Sequence, residues 1–172
     1  MTLLETLIAT LVLMVGLLSL AGVLGLGLSL ISTSEWDFIA QQKAAEAVET
    51  IFTARDTGQL TWAQIQNVGA GGAGPGLFLT GAQPLLAPGP DGIVGTADDD
   101  PKNPDCIVSP GPDGILGTAD DIKIPLNNFT RTIAITQFPG NANLRVITVT
   151  MNYRAGRFNK TYTLVTYISA FA

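Results

Sequence analysis

The sequence has no histidine, one cysteine and only 13% charged residues. Without histidine there is no imidazole general base, no Ser–His or Cys–His pairing and no imidazole metal ligand. One thiol, Cys106, allows no internal disulfide and no CxxC zinc site. It reads as a small side chain in a loop. Charged residues usually make up about a quarter of a globular chain. Here low charge goes with 47% hydrophobic residues. That excludes a disordered polar chain, which would be charge-rich and apolar-poor. There is also no basic stripe with interleaved aromatics, and the pI is near 4.4, so nucleic acid is not an expected partner. At 172 residues the chain holds one domain, or one domain and an appendage.

The charge that is present is unevenly placed. Residues 88–122 contain eight acids and one base, Lys102, while the remainder contains six acids and eight bases. The acidity belongs to one segment and needs a local cause. From Thr6 to Ser34, a run of 29 residues, there is no charge at all. About 20 apolar residues suffice to cross a bilayer. Gly16, Gly22, Gly25 and Gly27 weaken this run as a helix by up to about 1 kcal/mol each, and Gly22 to Gly27 is its softest part. Beyond it, Ile39, Ala44, Ala47, Val48, Ile51 and Phe52 recur at helical spacing, with Gln41, Glu46, Glu49 and Arg55 opposite. The pattern predicts one helix over 1–54, apolar all round through residue 34 and amphipathic after it. From Leu3 to Ala54 it would be roughly 78 Å long.

Three readings fit the apolar half. A secretory signal lacks its basic n-region and its small-x-small cleavage site. A plain membrane anchor fits by length. The third rests on Glu5, a carboxylate close to the start of an apolar helix. Such a charge is expensive in lipid unless paired, gains from the helix N-terminus, and would be fully paired by a neighbouring subunit's amino group. It would also be tolerated in the headgroup layer.

Met1-Thr2-Leu3-Leu4-Glu5-Thr6-Leu7-Ile8-Ala9, followed by Leu11-Val12-Leu13 and Gly16-Leu17-Leu18, resembles the mature start of a type IV pilin or pseudopilin. That family begins with an N-methylated residue, usually Phe, and carries Thr at position two and Glu at position five before a long apolar helix. The motif covers about 30 residues of this chain. Met1 stands where Phe is commoner, and no cysteine pair closes a C-terminal loop. With no basic leader ending in Gly ahead of Met1, the numbering is expected to start at the mature residue. The resemblance implies a subunit that waits in the cytoplasmic membrane, is processed and methylated by a prepilin peptidase, and is extracted into an extracellular filament by the pilus assembly machinery. Met1, Thr2 and Glu5 would be its assembly residues, with Glu5 pairing the Met1 amine of a neighbouring copy. Gly22 to Gly27 would be where the helix melts on packing.

The middle of the chain is breaker-rich. Val68 to Gly76 is a loop, not a phosphate cradle, since no GK[ST] follows. Next, Pro88 to Asp99 (PGPDGIVGTADD) recurs as Pro110 to Asp121 (PGPDGILGTADD), and only Val94/Leu116 differs across the twelve positions. Pro-Asp-Gly is a turn: Pro presets φ, Asp caps, Gly takes positive φ. Asp91 with Asp98 and Asp99, and Asp113 with Asp120 and Asp121, would repel in so tight a loop unless a cation intervenes. An all-oxygen set with carbonyls near Ile93, Gly95, Ile115 and Gly117 suits Ca²⁺, one or two ions. The spacing is not that of an EF-hand. It is similar to the Gly- and Asp-rich calcium loop of major type II secretion pseudopilins. A solvated acidic turn is the alternative. An enzyme is not expected: no Ser or Cys has a base partner, and the acid pairs sit in repeated loops that suit a cation better than glycoside chemistry.

Towards the C-terminus, Phe129 to Phe138, Leu144 to Arg154 and Phe158 to Phe171 alternate, with Ile133 and Ile135, Val146, Thr148 and Thr150, and Tyr162, Leu164, Thr166 and Ile168 on period two. They predict an antiparallel meander of three to four strands over 129–171, packed on the amphipathic half of the helix. Asn128-Phe129-Thr130 and Asn159-Lys160-Thr161 have the form of glycosylation sequons. The expected class is α+β, a long helix followed by a head over 55–172. The expected role is a pilin of an extracellular filament, braced by calcium. A minor pilin or type II secretion pseudopilin, and a membrane-anchored calcium-binding domain that does not polymerise, are the alternatives.

Overall fold

A computed structural model describes residues 2–71 and 75–171. One helix, α1 (Leu3–Asp56), is followed by β1 (Gln83–Pro84), β2 (Cys106–Ser109), β3 (Ile122–Pro125), β4 (Phe129–Gln137), β5 (Leu144–Ala155) and β6 (Phe158–Ser169). A four-stranded sheet runs β1-β4-β5-β6, antiparallel throughout, and β2 and β3 form a separate two-stranded arm. The α+β class and the meander follow the sequence pattern. The arm does not, and Cys106 opens a strand rather than lying in a loop.

The helix is one unbroken element of two kinds. Ala40, Ala44, Ala47, Ile51 and Ala54 are fully buried, a stripe at helical spacing that packs on β5 and β6. Alanine at four of these positions lets the helix lie close to the sheet. The facing residues come from register. Phe129, Arg131, Ile133 and Ile135 on β4 sit opposite Tyr153, Met151, Val149 and Ile147 on β5, and all eight are buried. The period-two set Val146, Thr148 and Thr150 therefore lies on the outer face of β5, and it is the odd-numbered residues that reach the core. At the far end, Asp56 is followed by Thr57, whose N–H closes on Thr53 O at 2.9 Å.

Residues 3–26 of the helix are exposed on every face. Leu3, Leu7, Leu11, Leu17 and Leu24 are among them, and Leu28 is exposed as well. Its most apolar 18-residue window has a mean hydropathy of 2.6. The helix is long and apolar enough to cross a membrane. It runs through Gly22, Gly25 and Gly27 without a break, and nothing lies within 4 Å of where a Cβ would stand at any of them.

Two polar clamps join helix to head. Asp37 accepts from the Tyr153 hydroxyl (2.6 Å) and pairs with Lys160 (2.7 Å), so one carboxylate ties α1 to β5 and β6. Lys43 pairs with Glu46 (2.8 Å) on its own helix and with Asp105 (2.7 Å) at the root of the arm. At the other end of the sheet, the Arg55 guanidinium donates to Ser169 O at 3.0 Å.

Candidate functional site

The sequence repeat is a structural repeat. In the first copy, Asp91 Oδ1 accepts from Ile93 N at 2.8 Å, Asp98 Oδ2 from Asp91 N at 3.2 Å, and Asp99 Oδ2 from Gly95 N at 2.7 Å. In the second, Asp113 Oδ1 accepts from Ile115 N at 2.8 Å, Asp120 Oδ2 from Asp113 N at 3.3 Å, and Asp121 Oδ2 from Gly117 N at 2.7 Å. Thr96 and Thr118 donate their hydroxyls to Asp98 Oδ1 and Asp120 Oδ1, respectively. Gly92 and Gly114 hold φ of 71° and 70° at the turn. Each loop closes so tightly that a Cβ on Gly89 would stand 2.5 Å from Asp98 Oδ2, and one on Gly111 would strike Asp120 in the same way.

This geometry divides each predicted trio. Asp91 and Asp98 converge on the Thr96 hydroxyl, Asp91 Oδ2 lying 3.5 Å from it. Asp99 turns the other way and staples the loop, accepting from both Gly89 N (3.0 Å) and Gly95 N (2.7 Å). In the second copy Asp113 and Asp120 are joined through the Asp113 N–H, and Asp121 takes the stapling position. Its second oxygen, Oδ1, is buried with no hydrogen-bond partner. Among the described residues no three His, Cys, Asp or Glu side chains gather as a group that could hold a metal ion. The donor chemistry, carboxylate pairs and carbonyls only, is that of a hard cation.

Electrostatics separates the members of the pair. Burial first, and then the neighbouring Asp98 carboxylate, push Asp91 up from its ordinary value. The Thr96 hydroxyl holds Asp98 below its own, and the Thr118 hydroxyl does the same for Asp120. Ionising Asp91 beside Asp98 is therefore unfavourable, and a bridging cation would relieve it. Asp99 is also raised, by burial, against its backbone donors.

The two copies differ in surroundings. Ile93 and Val94 of the first are 2% and 0% exposed and belong to the core, Gly95 after them abuts the Ile133 side chain, and Gln59 Nε2 donates to Asp91 O at 2.6 Å. Ile115 and Leu116 of the second are 60% and 61% exposed at the tip of the β2–β3 arm. Behind the first loop lies Arg131, buried and lining a cavity of about 210 Å³ with Asp99, its Nη1 without a hydrogen-bond partner. Burial pulls its guanidinium down and the Asp99 charge opposes this. Periodicity does not mark Arg131, because an arginine on an inward strand position reads as a lapse in the pattern.

At the helix start, Thr2 is the N-cap and its N–H donates to Glu5 Oε2 at 3.4 Å. This is the glutamate half of a capping box, whose Thr-x-x-Glu signature stands at Thr2 and Glu5. Met1 lies outside the described residues, as do Gly72, Ala73 and Gly74 of the middle loop. Of the two sequons, Asn128 donates to Arg154 O at 3.0 Å and Asn159 is exposed. No family model, characterised protein or solved structure matches the chain.

Proposed function

We propose that this chain is a structural pilin: a subunit held in the cytoplasmic membrane by residues 1–34 and then assembled, through packing of those helices, into an extracellular type IV pilus-like filament. The observation that carries the reading is the two-sided helix. One continuous α1 is packed on the sheet in its second half and exposes apolar side chains in every direction through its first. Monomeric soluble proteins rarely expose apolar patches beyond a few hundred Å². A helix apolar all round belongs in lipid or among other helices, and a filament subunit needs both environments in turn. Its partners are copies of itself, the prepilin peptidase and the assembly machinery.

The tandem loops are the second part of the proposal. Asp91 with Asp98, and Asp113 with Asp120, are the pairs that would hold calcium, with Asp99 and Asp121 shaping the loops around them. The bound ion would offset the repulsion within each pair and stiffen the part of the head that carries the arm.

Filaments sheared from cells and imaged by cryo-electron microscopy, with and without EGTA, test this. Expected is core density for Met1 to Ala54, with peaks at the two aspartate pairs that vanish in chelator. Recovery of the chain only in the membrane fraction would overturn the filament reading. One observation favours that second reading, a membrane-anchored domain that does not polymerise: the bond from Thr2 N gives Glu5 a partner within its own chain.

A further inference from the structure

The internal repeat shows what its apolar pair does when it has a receptor. The first loop turns Ile93 and Val94 into the core. The second repeats three of the aspartate-to-backbone bonds and carries an equivalent pair, yet Ile115 and Leu116 stand in solvent. The arm beneath them adds Val108, Ile122 and Ile124, all exposed, and all four residues of β3 are exposed. Hydrophobic side chains gathered on a projecting arm mark a contact surface. The tip also carries Asp113, Asp120 and Asp121.

The complementary surface is on the same molecule. The turn between β5 and β6 exposes Arg154 and Arg157 with Phe158, which is 66% exposed. Among the described residues neither arginine has a carboxylate within ion-pair distance. The arm leaves the chain between β1 and β4, at one edge of the sheet order, and this turn joins the two strands at the other edge. An acidic apolar tip on one flank and a basic apolar turn on the other suit a head-to-tail contact. Such a contact does not use the same patch twice, so it propagates rather than closing as a two-fold dimer.

We infer that the β2–β3 arm docks on a second copy of this chain, Ile115 and Leu116 against Phe158, with the acidic tip, whose three carboxylates outweigh the charge of one calcium ion, facing Arg154 and Arg157. The setting rests on the filament reading; the surface does not depend on Glu5 or on the apolar half of α1.

The test is cross-linking of the full-length chain in cells, with Cys106→Ser to remove the native thiol. Leu116→Cys and Phe158→Cys are exposed changes that leave the core intact. With a short bismaleimide the double variant is expected to give a ladder of dimers, trimers and longer species. Leu116→Cys paired with Thr136→Cys, at the opposite end of the sheet, is expected to give none. A ladder missing from intact filaments would overturn the contact and leave the filament standing. Dimers alone, or equal products from either single cysteine, would also overturn it by indicating a two-fold arrangement. Were no filaments found, the same reaction on membranes would still read the contact between copies. Shielding of Leu116→Cys from a water-soluble maleimide by lipid, without a ladder, would place the tip on a bilayer and overturn the proposal.

Discussion

The residues that matter most here are glycines and aspartates whose roles differ between two strings that are alike at all but one position. Gly89 and Gly111 face the same obstruction, a carboxylate and carbonyl nine residues on. Their neighbourhoods differ, and so should their substitutions. Gly89→Ala would push apart a loop whose Ile93, Val94 and Thr96 are buried, so overpacking at a typical cost of about 1–3 kcal/mol is expected. Gly111→Ala would deform a loop that stands in solvent, and the global melting temperature should move little. Comparable losses from both, in thermal melts of the head, would mean that the arm is part of the cooperative core. The Asp37 clamp gives a pH signature. Hydrogen bonds from Lys160 and then Tyr153 hold Asp37 below its usual value, and burial with the Asp37 bond pushes the Tyr153 hydroxyl up to about 12. A depressed carboxyl contributes stability above its unfolded pKa, near 3.9, and loses it as pH falls through the folded one. Asp37→Asn should cost about 0.5–1 kcal/mol at neutral pH, since the pair is partly exposed and screened. That deficit should close as pH falls below about 4. A deficit unchanged down to pH 2.5 would mean that the ion pair is not its source.

At the level of elements, the strands and the helix were readable because burial imposes a period, 2.0 on the sheet and 3.6 on the helix. The arm was not readable. Copies of one twelve-residue string have the same local preferences, and only tertiary surroundings, Ile133 and Gln59 beside the first copy, decide which is buried. The stapling role of Asp99 and Asp121 was likewise hidden, since three aspartates in a turn look like three equal ligands until the backbone donors are placed. Asp91 offers the sharpest test of the cation reading, because its folded pKa is raised by burial and by Asp98. An acid with a raised folded pKa loses stability as pH rises through that value. In chelator at neutral pH, Asp91→Asn should therefore be at least as stable as the wild type, with the Asn oxygen still able to accept from Ile93 N. In calcium the order should reverse, because the wild type gains about 2.7 kcal/mol at a hundredfold excess over Kd and the variant gains less. Thermal melts of both chains with calcium and with EGTA would show the crossing. Parallel shifts, or no response of the wild type to calcium, would leave the loops as solvated turns.

For the whole molecule, the question is what covers a helix about 80 Å long whose residues 3–26 are exposed on every face. Lipid covers it for an anchored domain; neighbouring copies cover it in a filament. Glu5 separates the two, provided that its local role is removed from the comparison. Its bond to Thr2 N stabilises the helix start whether or not another copy is present, and losing such a cap typically costs about 1 kcal/mol. Glu5→Ala removes both the cap and the charge, so lost assembly in that variant alone proves little. Glu5→Gln keeps an acceptor in the capping position and deletes only the charge. If Glu5 pairs with an amine of the next copy, Glu5→Gln should reach the membrane at wild-type levels and yield roughly tenfold fewer filaments, as loss of about 1.4 kcal/mol per contact would give. If capping is all that Glu5 supplies, Glu5→Gln should assemble normally while Glu5→Ala does not. Counting sheared filaments against membrane-bound subunit for the three chains decides between a charge shared across copies and a carboxylate that serves its own helix.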